Sequence, residues 1–422
     1  MKRKNFRKYG LALGLSVFLA LALLILAAFA PQGRILDNLW QSMDMLHAEG
    51  VYPFMADYSD SAWLDNFTDV LMLMESAATN DDYLGSVLTN PVYVYDDAGA
   101  DVVELLECYL NGMPHDSVGY YVRYWMGFRV LLRIGLTFLS YFQIRRYLAI
   151  GFFVLFAAVM CSIAKRVDGK LAFLFAISVA LVRPCVIVNS MQYCCCFFIM
   201  LLAMLLVPKI YDHPKWEGLF FFEIGIVTMY FDFYTVPLIT VGFPLVYLFA
   251  LKKQAGQTLS CKALFRNLLL WLGGYGLMWL AKLTLTSLLT DVDALGNGLQ
   301  ALFGRLGVTK TDGLEEYYSL SLAMERLGKA IFCDAEGKVI YLAVLVLCVA
   351  GFLAAAFRRK VTGKQVLALL PLVVLALLPF GWFLATIQPL AMHHYFQYRN
   401  IALVYWAAGT FGYFLLMQPE EK

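Results

Sequence analysis

Residues 2–30 read KRKNFRKYGLALGLSVFLALALLILAAFA: five cations in the first eight positions, then an uninterrupted apolar run to Ala30. About 20 apolar residues at about 1.5 Å rise per residue match the roughly 30 Å hydrocarbon core of a bilayer. A basic flank of this kind is held on the cytoplasmic side, so the segment is expected to run from inside to outside. The run exceeds the roughly 7–15 residues of a signal-peptide core, so it reads as an uncleaved anchor.

The rest of the chain repeats this signal. Of 422 residues, 61% are hydrophobic and 15% charged, against about 45–50% and about 25% in soluble domains. Further apolar blocks cover 147–164, 171–189, 191–207, 217–232, 235–251, 267–285, 339–357, 365–387 and 401–415. The expected fold is therefore an all-α polytopic integral membrane protein of about ten transmembrane helices. It divides into a cytoplasmic N-terminus with the first span (1–30), a large exterior loop (31–146), a six-span core (147–285), a second exterior segment (286–338) and three C-terminal spans (339–422).

Charge distribution supports this order. With alternating spans, the segments assigned to the cytoplasm carry 19 of the 33 Lys and Arg, whereas residues 31–122 contain 16 Asp and Glu and the single cation Arg34. This is the basic-inside pattern of proteins in a cell membrane, N-terminus cytoplasmic. Formal net charge is only +2, which gives no basis for a nucleic-acid partner; membrane lipid is the expected surrounding.

Within the first exterior loop, Trp63, Phe67, Val70, Leu71 and Met74 recur at helical spacing, predicting an amphipathic helix. Asp65 and Asp69 lie four apart on it and are the candidate catalytic carboxylates: two like charges on one face need a nearby cation or a raised pKa. The plainer reading is a solvated polar face. Residues 125–142 read as an interfacial or re-entrant piece with Arg129 and Arg133 reaching toward head groups. Arg183, Glu223, Asp232 and Lys282 are the charges inside apolar blocks; Arg183 and Lys282 read either as phosphate-binding or as snorkelling cations. Asp232 reads either as a helix cap or as a carboxylate at a cavity mouth ringed by Tyr230, Phe233 and Tyr234. The run 393–400, HHYFQYRN, offers His394, Tyr398 and Arg399 for phosphate or substrate binding, or an interfacial aromatic belt.

Metal chemistry finds little support. Cys194, Cys195 and Cys196 are consecutive and point in three directions, His393 and His394 are adjacent, and Asp291-Val292-Asp293 is too short a match to carry weight. No metal or cofactor is expected. Cys108 and Cys333 are the exterior thiols that could pair in an oxidising compartment.

The arrangement of an inward N-terminus, an acidic exterior loop after the first span and many later spans resembles the GT-C class of multi-spanning glycosyltransferases. The resemblance implies transfer of a sugar from a polyprenyl-phosphate carrier to an envelope glycan or lipid acceptor at the exterior face. An acid of the first exterior loop would serve that transfer, matched here by Asp69 and Asp65 rather than Asp37. A transporter or flippase of lipid-linked sugars, or a non-catalytic envelope assembly protein, are the alternatives. A reporter fused after Leu251 should be cytoplasmic and one at Gly112 exterior; both on one side would end the ten-span order.

Overall fold

The computed structural model describes residues 2–55, 59–78, 82–95, 101–306, 318–332 and 335–417. The described chain is almost entirely helical, with one two-stranded antiparallel sheet pairing Pro91–Val94 with Ser117–Tyr120. Five helices are long and apolar enough to cross a membrane: Arg7–Ala28, Tyr141–Arg166, Met191–Asp212, Cys261–Leu289 and Glu336–Arg358. Several carry their apolar residues outward. Leu11, Phe18 and Leu26 on the first, and Val339, Ile340 and Leu347 on the last, are exposed, a surface costing about 25 cal/mol per Å² in water. Lipid is the solvent that removes this cost.

The other apolar blocks are shorter helices, Gly169–Ala180, Glu217–Phe231, Leu238–Gln254, Leu370–Ala385 and Ala402–Met417. The block 171–189 breaks where Arg183 precedes Pro184. Arg183 takes a left-handed conformation (φ 59°), and Pro184 opens the four-residue helix Pro184–Ile187, as the steric bar on helical geometry before proline requires.

Two groups of helix ends converge in space. Glu217, which begins one helix, accepts from Lys252 Nζ (2.8 Å), Arg266 Nη2 (2.5 Å) and Asn267 Nδ2 (2.8 Å), and Lys8 stands 4.3 Å from the Trp216 ring. The opposite ends, around Gln192, Tyr234 and Gln397, gather about a cavity described below. The helices Glu217–Phe231 and Cys261–Leu289 cross backbone to backbone at two glycines. A Cβ at Gly225 would stand 2.1 Å from Trp271 O, and one at Gly274 2.0 Å from Phe222 O.

Neither carbonyl can yield without separating the helices, so overpacking here should be expensive. Gly225→Ala or Gly274→Ala should cost about 1–3 kcal/mol or more and lower the unfolding midpoint in detergent. Gly276→Ala, where nothing lies within 4 Å, should be close to neutral.

Candidate functional site

The helix Asn66–Ala77 organises the site. Asp65 is its N-cap: Oδ1 accepts from Thr68 N (3.0 Å) and Oδ2 from Thr68 Oγ1 (2.9 Å), satisfying donors that a helix start leaves orphaned. Burial raises its pKa to about 6 against those bonds. Asp65 thus precedes the helix and shares no helical face with Asp69, contrary to the sequence expectation.

Asp69 is fully buried. Its Oδ2 accepts from Tyr141 Oη (2.6 Å) and Met191 N (2.8 Å), its Oδ1 from Gln192 N (3.0 Å) and Ser190 Oγ (3.2 Å). The carboxylate therefore caps, from another part of the chain, the N-terminus of the helix Met191–Asp212, where amide donors and the helix dipole favour an anion. Burial still raises its pKa, opposed chiefly by the Tyr141 bond. Neither acid lies on a solvated face, and Asp69 has four donors occupying the lone pairs a general base would use.

A different face of the same helix, Thr68, Leu71, Met72 and Glu75, lines a cavity of about 580 Å³. The spacing of three, four and seven residues puts these side chains on one stripe. Around them stand the rings of Tyr121, Tyr124, Phe233 and Tyr234, the amides of Gln192, Gln300 and Gln397, and the cations Arg123 and Arg305. Arg305 donates to Tyr124 Oη and lies over the Tyr234 ring at 4.7 Å. His393 also lines the cavity; burial first and Arg305 second lower its pKa to about 4, so it is neutral at pH 7.

Glu75 is the exceptional group. It is 3% exposed, and its Oε2 is buried with no hydrogen-bond partner. Burial raises its pKa to about 8, with Arg129 and Lys282 acting in the opposite direction. Gln192 Oε1, on the same cavity wall, is likewise buried without a donor. Buried acceptors of this kind are costly unless a ligand or water supplies the donor.

The remaining sequence candidates are not among the lining residues of this cavity. Asp232 accepts from Tyr234 N and Thr235 N (3.0 Å each) and from the Thr235 hydroxyl, the capping alternative, while Phe233 and Tyr234 reach the cavity. Tyr230 does not ring a mouth; it donates to Ala20 O at 3.2 Å. His394 Nε2 pairs with Asp60 Oδ2 at 2.8 Å, and Tyr398 Oη donates to Val182 O at 3.3 Å. Arg399, fully buried, donates to Tyr395 O (2.8 Å) and Ser61 O (3.2 Å) and lies 4.3 Å from the Tyr193 ring. From the run 393–400 the structure brings His393, Tyr395, Phe396 and Gln397 to the cavity, and not His394, Tyr398 or Arg399. Arg183 lies at the break before Pro184, also outside the cavity lining.

Arg129 and Arg133 correct a further expectation, since both are buried in protein. Arg133 donates to Ala27 O (2.8 Å), Ser76 O (2.5 Å) and Ala30 O (3.3 Å); Arg129 donates to Ser86 O (3.2 Å) and Asn90 Oδ1 (3.1 Å). Carbonyls at helix C-termini are short of intrahelical donors, and these guanidinium groups add to the bonds that Ala27 O and Ser86 O accept from Ala30 N and Asn90 N. Asp293 caps the helix Ala294–Arg305 through Gly296 N (2.8 Å). Among the described residues no three His, Cys, Asp or Glu side chains converge as a metal site. Cys333, and with it the Cys108 pairing, lies outside the described residues.

A second, apolar groove of about 620 Å³ adjoins the polar cavity, with Met72 lining both. Leu132, Leu148, Cys195, Phe198 and Leu202 form its walls, and Glu223 is the carboxyl group among its lining residues. Comparison with protein-family models, with curated proteins and with solved structures finds no match to this chain.

The two faces of one helix make opposite predictions. Asp69→Asn turns an amide donor toward backbone N–H groups and should cost on the order of 1–3 kcal/mol, lowering the unfolding midpoint and folded yield. For Glu75 the folded pKa, about 8, lies above an unfolded value of about 4.3. The folded state therefore keeps a proton the unfolded state has released, and stability falls as pH rises between those values. Glu75→Gln should remove that loss, so its midpoint should rise relative to wild type from pH 5 to pH 8.

Proposed function

We propose that this chain is a ten-span protein of the cell membrane with a cytoplasmic N-terminus. It transfers a sugar from a lipid-linked phosphate carrier to a glycan or lipid acceptor, in a cavity on the exterior side. The observation that carries this reading is the junction at Met72 of two sites of opposite character. One is apolar and suited to a hydrocarbon chain. The other offers amides, rings, cations and a carboxyl group suited to a polyhydroxylated anion. The topology draws support from the helix ends, because Glu217, Lys252 and Arg266, all assigned to the cytoplasmic side, meet in one ion-pair cluster.

In this reading Glu75, not Asp65 or Asp69, takes the proton from the acceptor hydroxyl. The acceptor oxygen then bonds to the anomeric carbon as the carbon–oxygen bond to phosphate breaks. A carboxyl group with a pKa near the working pH suits this exchange, and its unpartnered Oε2 leaves a lone pair for the hydroxyl. Arg123 and Arg305 oppose the charge developing on the phosphate leaving group. A flippase of the same lipid would favour polar groups near mid-depth, whereas the polar lining here stands at the helix ends assigned to the exterior.

The test is incorporation of a labelled lipid-linked sugar by the full chain in vesicles. Glu75→Gln should reduce transfer about 10²–10⁴-fold while the protein remains folded, and wild-type transfer should rise with pH toward about 8. Arg305→Lys should retain more activity than Arg305→Ala. Undiminished transfer by Glu75→Gln, or movement of the lipid between leaflets with no new glycosidic bond, would sink the proposal.

A further inference from the structure

Beside the polar cavity, four aromatic side chains of the first long loop form a continuous surface. The Phe54 and Trp63 rings lie 5.7 Å apart, Trp63 and Tyr52 6.0 Å, and Tyr52 and Phe67 6.4 Å with planes only 14° apart. Phe54 and Tyr52 are 42% exposed and Phe67 37%. Their backbone is fixed: Phe54 and Trp63 face each other across an antiparallel bridge, held by Met55 N to Ala62 O and Leu64 N to Pro53 O at 3.0 Å each. Tyr52 and Phe67 also line the polar cavity, so the surface runs into it without a break.

We propose that this aromatic surface is the acceptor platform and that the acceptor is a chain of sugar rings. It would stack along Phe54, Trp63, Tyr52 and Phe67 and deliver its terminal hydroxyl into the cavity. The C–H faces of a pyranose carry partial positive charge and pack on the negative faces of aromatic rings. Hydroxyl groups at the ring edges need polar neighbours, which the Asp60–His394 pair supplies beside Trp63, whose ring centre is 6.4 Å from that of His394. A hydrocarbon chain would gain nothing from these polar neighbours, and the groove suited to it is the separate aliphatic one past Met72. The inference rests on the transferase reading only for the acceptor's role; binding of sugar rings stands on the surface itself.

The test uses the full chain in phosphatidylethanolamine–phosphatidylglycerol vesicles with a photoreactive phenylalanine analogue at Phe54 or, separately, at Phe67. Maltohexaose and chitohexaose are the probes. Saccharide adducts should form at both positions and saturate. Tyr52→Ala should weaken saturation roughly tenfold, the equivalent of about 1.4 kcal/mol, whereas Tyr52→Phe should not. Phospholipid adducts alone at both positions, the result for an interfacial aromatic belt, would overturn the platform, as would failure of both hexasaccharides to saturate either position. Saccharide adducts in a chain that transfers no sugar would preserve the platform and remove the transferase reading. Transfer lost in Glu75→Gln without saccharide adducts would do the reverse.

Discussion

Helix ends buried away from water set the terms of this structure. Each exposes backbone donors or acceptors that no turn of its own helix can satisfy, and in a low-dielectric interior an unsatisfied group costs kilocalories. Asp69 answers the N-terminus of the helix Met191–Asp212. Arg133 answers the carbonyls after the first long helix together with Ser76 O. Lys282 donates to Val87 O (2.9 Å) and Leu88 O (2.8 Å) at the end of the helix Tyr83–Thr89. Long-range charge-to-backbone bonds, more than ion pairs, tie the loop region to the apolar helices.

This constraint places the candidate chemistry. Because Asp69 is anchored across the chain, the helix Asn66–Ala77 has a fixed rotation, and the stripe Thr68, Leu71, Met72 and Glu75 must face the cavity. Glu75 stands close enough to Arg129 and Lys282 to feel both charges. Those cations donate to carbonyls of the segment 86–90, and neither reaches Glu75 Oε2, which has no hydrogen bond. An acid on the stabilising face is consumed by structure, while an acid on the other face stays available.

The cysteines and aromatics illustrate the same economy. Cys194 and Cys195 line the apolar groove, and Cys196 lies buried near Thr235, behaving as small apolar side chains. The rings of the loop after the first helix, by contrast, are held by a local bridge at the edge of the polar cavity, with their faces partly open. Apolar character is therefore divided between an aliphatic groove and an aromatic surface, with the polar cavity between them.

Residue order alone was enough for the all-helical class and for the long apolar helices, because length and hydropathy act locally. It also exposed the helix carrying Asp69 and the capping role open to Asp232, since caps depend on neighbours within a few residues. Which acid of that helix would be unpaired was not legible. Asp69 meets Tyr141 and the segment 190–192, partners more than 70 positions away, and the apolar spacing of Phe67, Val70, Leu71 and Met74 gave no sign of Glu75. Arg305 and His393 carried no local signal, and the loop arginines read as reaching lipid head groups until the carbonyls they serve were brought beside them. Tertiary structure decided these points because the fate of a buried charge depends on which orphaned backbone groups the folded chain sets against it.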